Sequence, residues 1–172
     1  MKLTQPSWPK HMPTEAVLGI ATLGPVGLRM PAPGTWGSAA GIVFFVVCCY
    51  PLSVVEVIIA SLLLGYFAVG VCGEAELRMG RKDPGEVILD EVVAMPLCFM
   101  GWQMIAPSGF LGFIGLLAAG FGLFRFFDIR KPWVINSLQS LPGGWGIVAD
   151  DTAAALATCA TLHLAHVIWV LI

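Results

Sequence analysis

"VILDEVVAMP", residues 87–96, places Asp90 and Glu91 side by side inside an otherwise apolar run. A second acidic pair, Asp150 and Asp151, interrupts "GGWGIVADDTAAALA", residues 143–157. Ionised side chains are costly in hydrocarbon and are kept there for a partner or a task. Whether this chain lives in hydrocarbon is therefore the first question. Of its 172 residues, 58% are hydrophobic and 12% charged, whereas a soluble domain carries about 25% charged residues. Mean hydropathy is +0.86, and several long apolar runs follow one another. The expected fold is all-α: a polytopic membrane helix bundle forming one domain over residues 14–172, behind a flexible tail at 1–13.

The apolar runs resolve into four to five embedded helices. The first, 39–50, ends at Pro51 and would have to start nearer Thr35 to approach a full span. The second opens at Ser53, with Glu56 at capping-box spacing, and runs through Leu77. For the third, Asp83 as N-cap, Pro84 at N1 and Glu86 at N3 predict a start, continuing to about Ile105 with a kink at Pro96. The fourth covers Phe110 to Phe127, and the fifth runs from Thr152 to the C-terminus. No signal peptide is expected, because the first thirty residues are Pro-rich and lack an apolar core before a cleavage site.

Charge placement gives the topology. Past Glu56, every charged residue falls in two windows, 74–91 and 125–151. Helices that alternate in direction bring both windows, and the polar stretch 24–38, to one membrane face. Arg78, Arg81, Lys82, Arg125, Arg130 and Lys131 make that face cytoplasmic. The net charge of −2 offers no basic footprint for nucleic acid. The five cysteines lie in apolar runs without a C-x-x-C pair, which argues against a zinc site or a disulfide framework.

Three segments on that face carry candidate chemistry. Asp90, Glu91, Asp128, Asp150 and Asp151 are hard oxygen donors of the kind that hold Mg²⁺ with water and phosphate oxygens, and no histidine is placed to make a zinc site. Asp83 and Glu86 are better explained as caps. "FRFFDIRKPW" sets Arg125 three residues before Asp128, on one helical face, with Lys131 just beyond. Such a mixture can hold a phosphate, or merely flank a membrane helix. "MPAPGTWGSAAG" has structure-breaking Gly34 and Gly37, with Thr35 and Ser38 able to cap the helix that follows and leave backbone N–H groups for an anion. "LPGGWGIVADD" repeats the arrangement, with Gly143, Gly144 and Gly146 allowing close backbone approach. Cys72 and Arg78 have the C-x5-R spacing of cysteine phosphatases. The intervening Glu74 and Glu76 would repel a phosphate, so this match reads as chance.

Together, "PAPGTWGS", "DPGEVILDE", "FRFFDIRKPW" and "GGWGIVADD" resemble the phosphatidylglycerophosphatase A family over about residues 17–160. The resemblance implies a Mg²⁺-dependent phosphatase of the bacterial inner membrane that converts phosphatidylglycerol phosphate to phosphatidylglycerol. It marks Gly34, Thr35, Gly37 and Ser38, then Asp83, Asp90 and Glu91, then Arg125, Asp128 and Lys131, and finally Gly143, Gly144, Gly146, Asp150 and Asp151. The implied metal ligands are Asp90, Glu91, Asp150 and Asp151, with Asp128 joining them as a catalytic acid. Thr35, Ser38, Arg125 and Lys131 would take the phosphate. Two positions depart from the family pattern: "GPVGLR" replaces a Gly-rich run, and Ala94 replaces a glycine.

Two readings from other directions stay open. A phosphatase for another anionic phospholipid would use the same residues. A cation-binding transporter would use the acids without chemistry, although transport sites lie near the bilayer midplane and these acids lie at helix ends. Nothing in the sequence sets an oligomeric state.

Overall fold

The computed structural model describes residues 4–172, and every regular element among them is helical. A 3-10 turn (Trp8–His11) leads into α1 (Thr14–Ala21), α2 (Pro25–Arg29) and α3 (Pro33–Phe44), which continues as a π-helical turn to Cys49. Then come α4 (Val54–Met79), α5 (Leu89–Cys98), α6 (Trp102–Ile105), α7 (Phe110–Arg130), α8 (Trp133–Leu138) and α9 (Gly144–Leu171). Of these, α4, α7 and α9 are long and apolar enough to cross a membrane. The 26 residues of α4 extend about 39 Å, against about 30 Å of hydrocarbon. Their outward faces carry Leu62, Leu63, Leu111 and Leu164, all more than half exposed, a surface suited to lipid. The five apolar segments of the sequence are thus three long helices plus the shorter α3 and α5.

Local sequence explains several boundaries. Ser53 and Glu56 form the expected reciprocal cap: Ser53 N donates to Glu56 Oε2 at 2.8 Å and Glu56 N to Ser53 Oγ at 3.4 Å. Gly80 then ends α4 in the left-handed region, at φ +63°. The third helix differs most from expectation. Asp83 is not an N-cap; it stands at φ +47°, a conformation Asp tolerates better than most residues. Glu86 pairs with Arg81 instead of closing a capping box. The reason is tertiary. Ile88 N donates to Ala21 O at 2.9 Å, and Gly27 lies so close to Glu86 O that a Cβ would collide with it. This pins 83–88 as a turn and delays the helix to Leu89, so Asp90 and Glu91 fall in its first turn rather than its second.

The expected continuation to Ile105 is also absent. Pro96 removes a backbone donor, α5 stops at Cys98, and Gly101 at φ +68° separates it from α6. At the other elements, α3 starts at Pro33, so Thr35 and Ser38 lie inside it and cap nothing. The last helix starts at Gly144, well before Thr152. The N-terminal segment packs where a loose tail is expected. Trp8 stacks on Phe67 at 5.3 Å, and Arg78 donates to Met12 O at 3.0 Å and Pro9 O at 3.1 Å; residues 1–3 lie outside the described residues. Those bonds, with the ion pair to Glu74, also occupy Arg78 away from Cys72, so the C-x5-R spacing is chance.

α5 is the hub: α3, α4 and α9 pack around it, and nearly all of its residues are buried. Small residues permit the close approach, as is usual between membrane helices. A Cβ on Gly41 of α3 would stand 2.5 Å from Met95 Cβ. At the crossing of α4 and α9, one on Gly144 would collide with Val69 O. At the end away from the charges, Tyr50, Trp102 and Phe113 cluster with centroids 4.4–5.5 Å apart, the aromatic belt expected at a membrane–water boundary.

Candidate active site

The starts of α3, α5 and α9, the end of α7 and the turn before α5 meet at one end of the bundle around a cavity of about 240 Å³. Its lining includes Gly34, Asp83, Asp90, Glu91, Arg125, Asp128, Lys131, Asp150 and Asp151. Residues as far apart as 34 and 151 are thus brought into one site. Ser38 lies just behind the lining, bonded to Glu91. Thr35 is exposed and outside the lining.

Glu91 is the best-anchored acid. Its Oε2 accepts from Ser38 Oγ at 3.1 Å, and its Oε1 accepts from Arg125 Nη1 at 3.1 Å. The same Nη1 lies 2.8 Å from Asp128 Oδ2, so the i, i+3 spacing on α7 delivers the pairing expected of it. Gly34 and Gly37 make room for this network: a Cβ at Gly34 would collide with Glu91 Oε1 and stand 3.0 Å from Arg125 Nη1, and one at Gly37 would stand 2.5 Å from Glu91 Oε2. Across the cavity, Asp150 Oδ2 accepts from Lys131 Nζ at 2.5 Å, and its Oδ1 accepts from Asp151 N at 3.1 Å. Lys131 reaches in because it ends α7 at φ +39°.

Two acids are not anchored. Asp90 Oδ1 is buried without a hydrogen-bond partner, and the Asp151 carboxylate, 4% exposed, has no hydrogen bond or ion pair among the described residues. Six carboxylates thus line a cavity holding two basic side chains. The electrostatic consequences are large at these depths. Burial, and then the neighbouring Glu91, push the Asp90 carboxyl well above its ordinary value. In α5, which is too short to cross, burial lifts Glu91 to about 7 against the pull of Arg125. For Lys131, burial is the largest influence and opposes the charge, but its bond to Asp150 together with the attraction of Asp150, Asp83 and Asp151 outweighs it and raises the pKa.

These features fit a hard divalent cation: oxygen-only donors, excess negative charge and an orphaned buried carboxylate oxygen. Among the described residues, no three His, Cys, Asp or Glu side chains already form a ligand cluster.

Sequence reasoning missed Gln139. Its Nε2 donates to Asp83 Oδ2 at 2.7 Å and orients that acid at the cavity rim. No sequence signal marks a lone Gln in a loop after α8. The glycines of the last block serve packing. Gly143 starts α9 at φ +55°, Gly144 seats against Val69 O, and Gly146 leaves no room beside Leu141 O, where a Cβ would stand at 2.7 Å.

Fold and site together define a membrane helix bundle with a small acid-rich cavity at one end, where buried carboxylates and two cations face each other. The phosphatidylglycerophosphatase A profile matches residues 19–166, and the chain belongs to that family. It is 37% identical over 131 residues to the Phosphatidylglycerophosphatase A of Haemophilus influenzae, covering 76% of each chain. To the Escherichia coli protein of the same name it is 30% identical over 145 residues, covering 80% of this chain and 76% of that one. No solved structure matches the chain.

Proposed function

We propose that this protein hydrolyses the terminal phosphomonoester of phosphatidylglycerol phosphate, with Mg²⁺ as its cofactor, at the cytoplasmic face of the bacterial inner membrane. The observation that carries the reading is the meeting of two unpaired buried acids, Asp90 and Asp151, with Arg125 and Lys131 in one cavity, in a chain of this family. A site at the helix ends suits a substrate whose tails stay in the bilayer while its headgroup phosphate enters from water. The same position argues against a transporter, whose sites lie near the midplane. The basic residues flanking this end support the cytoplasmic orientation.

Asp90 and Asp151, with Glu91 and Asp150 beside them, would hold the cation. When bound, Mg²⁺ supplies positive charge to the phosphoryl oxygens as charge develops on them. The protein's own part is positioning and charge balance. Arg125 and Lys131 offset the charge of the entering phosphate. Ser38 and Arg125 fix Glu91, and Lys131 fixes Asp150, so neither acid is free to swing. In the net reaction a water oxygen joins phosphorus, the bond from phosphorus to the glycerol oxygen breaks, and that oxygen leaves with a proton.

The test is phosphate release from phosphatidylglycerol phosphate in detergent micelles, with and without Mg²⁺, by wild type and Asp90→Asn. Mg²⁺-dependent release that the folded variant loses is the expected outcome. A folded wild-type protein that releases no phosphate would sink the substrate assignment. Release that is indifferent to Mg²⁺ would remove the cofactor.

A further inference from the structure

Beside the acidic cavity the bundle carries a second, larger hollow that the chemistry above does not use. It is a groove of about 760 Å³ between α4 and α9, floored by α5. Val69, Val93, Leu97 and Val148 form its buried floor, and Leu62 and Leu156 form exposed lips, so it opens sideways. A volume of this size is typical of a ligand site.

Three observations indicate what fills it. First, the groove adjoins the acidic cavity along α5 and α9, where residues lining the one lie within a helical turn of residues lining the other. Asp90 lines the cavity, and Val93 and Leu97, on the same face of α5, floor the groove. On α9 the two are also one turn apart, in the opposite order: Val148 of the groove precedes Asp151 of the cavity. Second, its length is that of one leaflet. It runs from Ile58 to Val69 on α4 and from Trp145 to Leu156 on α9, about 16 Å on each wall and half of the roughly 30 Å hydrocarbon thickness. Third, the sequence leaves it empty at Gly65, where a Cβ would meet nothing nearer than Val148 Cγ1 at 4.0 Å. Packing does not require that glycine, in contrast to Gly41 or Gly144.

We propose that the α4–α9 groove holds one acyl chain of the phospholipid whose phosphate enters the acidic cavity. The proposal rests on the phosphatase reading and adds a tail site to it. The lipid glycerol then sits between the two hollows, near Asp90 and Val93, and the chain lies along α5 toward Leu97. Such a site makes turnover depend on chain length, because each methylene seated in the groove contributes to binding.

A Cβ at Gly65 meets no backbone atom within 4 Å beyond its own helix, so Gly65→Leu extends a side chain into the groove. The measurement is the ratio of kcat/KM for dipalmitoyl against dihexanoyl phosphatidylglycerol phosphate, for wild type and Gly65→Leu. The ratio should fall about tenfold in the variant, the equivalent of two methylene contacts. An unchanged ratio overturns the proposal, whether overall activity is kept or falls with both substrates. The second measurement needs no variant. The wild-type protein is irradiated in vesicles with phosphatidylglycerol phosphate bearing a diazirine in one acyl chain, and the labelled residues are mapped. Label concentrated on Leu62, Tyr66 and Leu156 supports the groove. Label spread evenly over other lipid-facing positions such as Leu111 and Leu164 overturns it. Wild-type protein inactive on both substrates counts against the phosphatase reading, and the label pattern then decides the groove by itself.

Discussion

The two acidic pairs, Asp90–Glu91 on α5 and Asp150–Asp151 on α9, have different neighbours but the same division of labour. In each pair one acid is tied down: Glu91 by Ser38 and Arg125, and Asp150 by Lys131. The other has no ion pair among the described residues: Asp90 keeps one orphaned oxygen, and the Asp151 carboxylate is buried without a hydrogen-bond partner. The order within the pair is reversed between the two helices, so the pattern is not one of sequence position. It follows from which acid each helix turns toward a basic residue. An acid already paired stabilises the fold, whereas a buried acid left unpaired is a standing cost unless a ligand compensates it. The comparison separates acids that are held in place from acids left open, a distinction that two adjacent carboxylates in a sequence cannot convey.

On that division, the unpaired acids carry the largest expected effects on rate. Asp90→Asn and Asp151→Asn should each lower phosphate release on the order of 10³-fold while leaving thermal stability in detergent equal or higher, because each removes a buried carboxyl that no ion pair compensates. A variant that loses stability in proportion to its activity would break the comparison at that residue.

The supporting acids should show the opposite balance. Lys131→Met leaves Asp150, 3% exposed at the side chain, without its cation, and should cost about 3 kcal/mol of stability, read from the unfolding midpoint in detergent. Arg125→Met should cost a similar amount, since it strands both Glu91 and Asp128. The double variant Lys131→Met with Asp150→Asn should recover most of the loss, because it removes the charge that Lys131 served.

Much of this site was legible in the sequence, and the reason is electrostatic. Charges in an apolar chain stand out, and alternating helices gather them on one face, so Asp90, Glu91, Arg125, Asp128, Lys131, Asp150 and Asp151 could be grouped before any geometry was known. The capping box at Ser53 was equally legible, because both of its bonds are local. What failed was local reasoning where tertiary contacts prevail. "DPGE" has the letters of a helix start, yet Ile88 N bonds to Ala21 O and Gly27 presses on Glu86 O, and the helix waits until Leu89. Gln139 was invisible because its partner Asp83 lies 56 residues away. The groove was invisible too: its residues look like any lipid-facing run until α5 closes its floor.

Between the acidic cavity and the packing glycines, an intermediate effect is expected. Gly34→Ala places a methyl against Glu91 Oε1 and Arg125. It should cut activity about tenfold to a hundredfold, as displaced supports of metal ligands do, with little change in unfolding midpoint because the pressed atoms are side-chain ends. Gly144→Ala presses on the backbone carbonyl of Val69 instead and should cost about 1–3 kcal/mol of stability. Comparing the two by activity and by midpoint tests whether site glycines and packing glycines are separable.

The smallest effect belongs to the pair outside the cavity. Arg81 Nη2 lies 2.8 Å from Glu86 Oε1, with the Arg 57% and the Glu 30% exposed at the side chain. The hydrogen bond from Arg81 holds the Glu86 carboxyl below its ordinary value. A folded-state pKa below the unfolded one means that the stabilisation is present above the unfolded pKa and is lost as pH falls through the folded one. Solvent screening at this exposure limits it to a few tenths of a kcal/mol. Arg81→Ala should therefore leave activity unchanged at neutral pH and lower the unfolding midpoint only marginally. That small difference should vanish in acid, below the folded-state pKa of Glu86, and shrink in high salt. A large loss of activity in Arg81→Ala would mean that the basic residues flanking the cavity take part in drawing in the anionic headgroup. The boundary between supporting and working charges would then have to move outward to include the turn before α5.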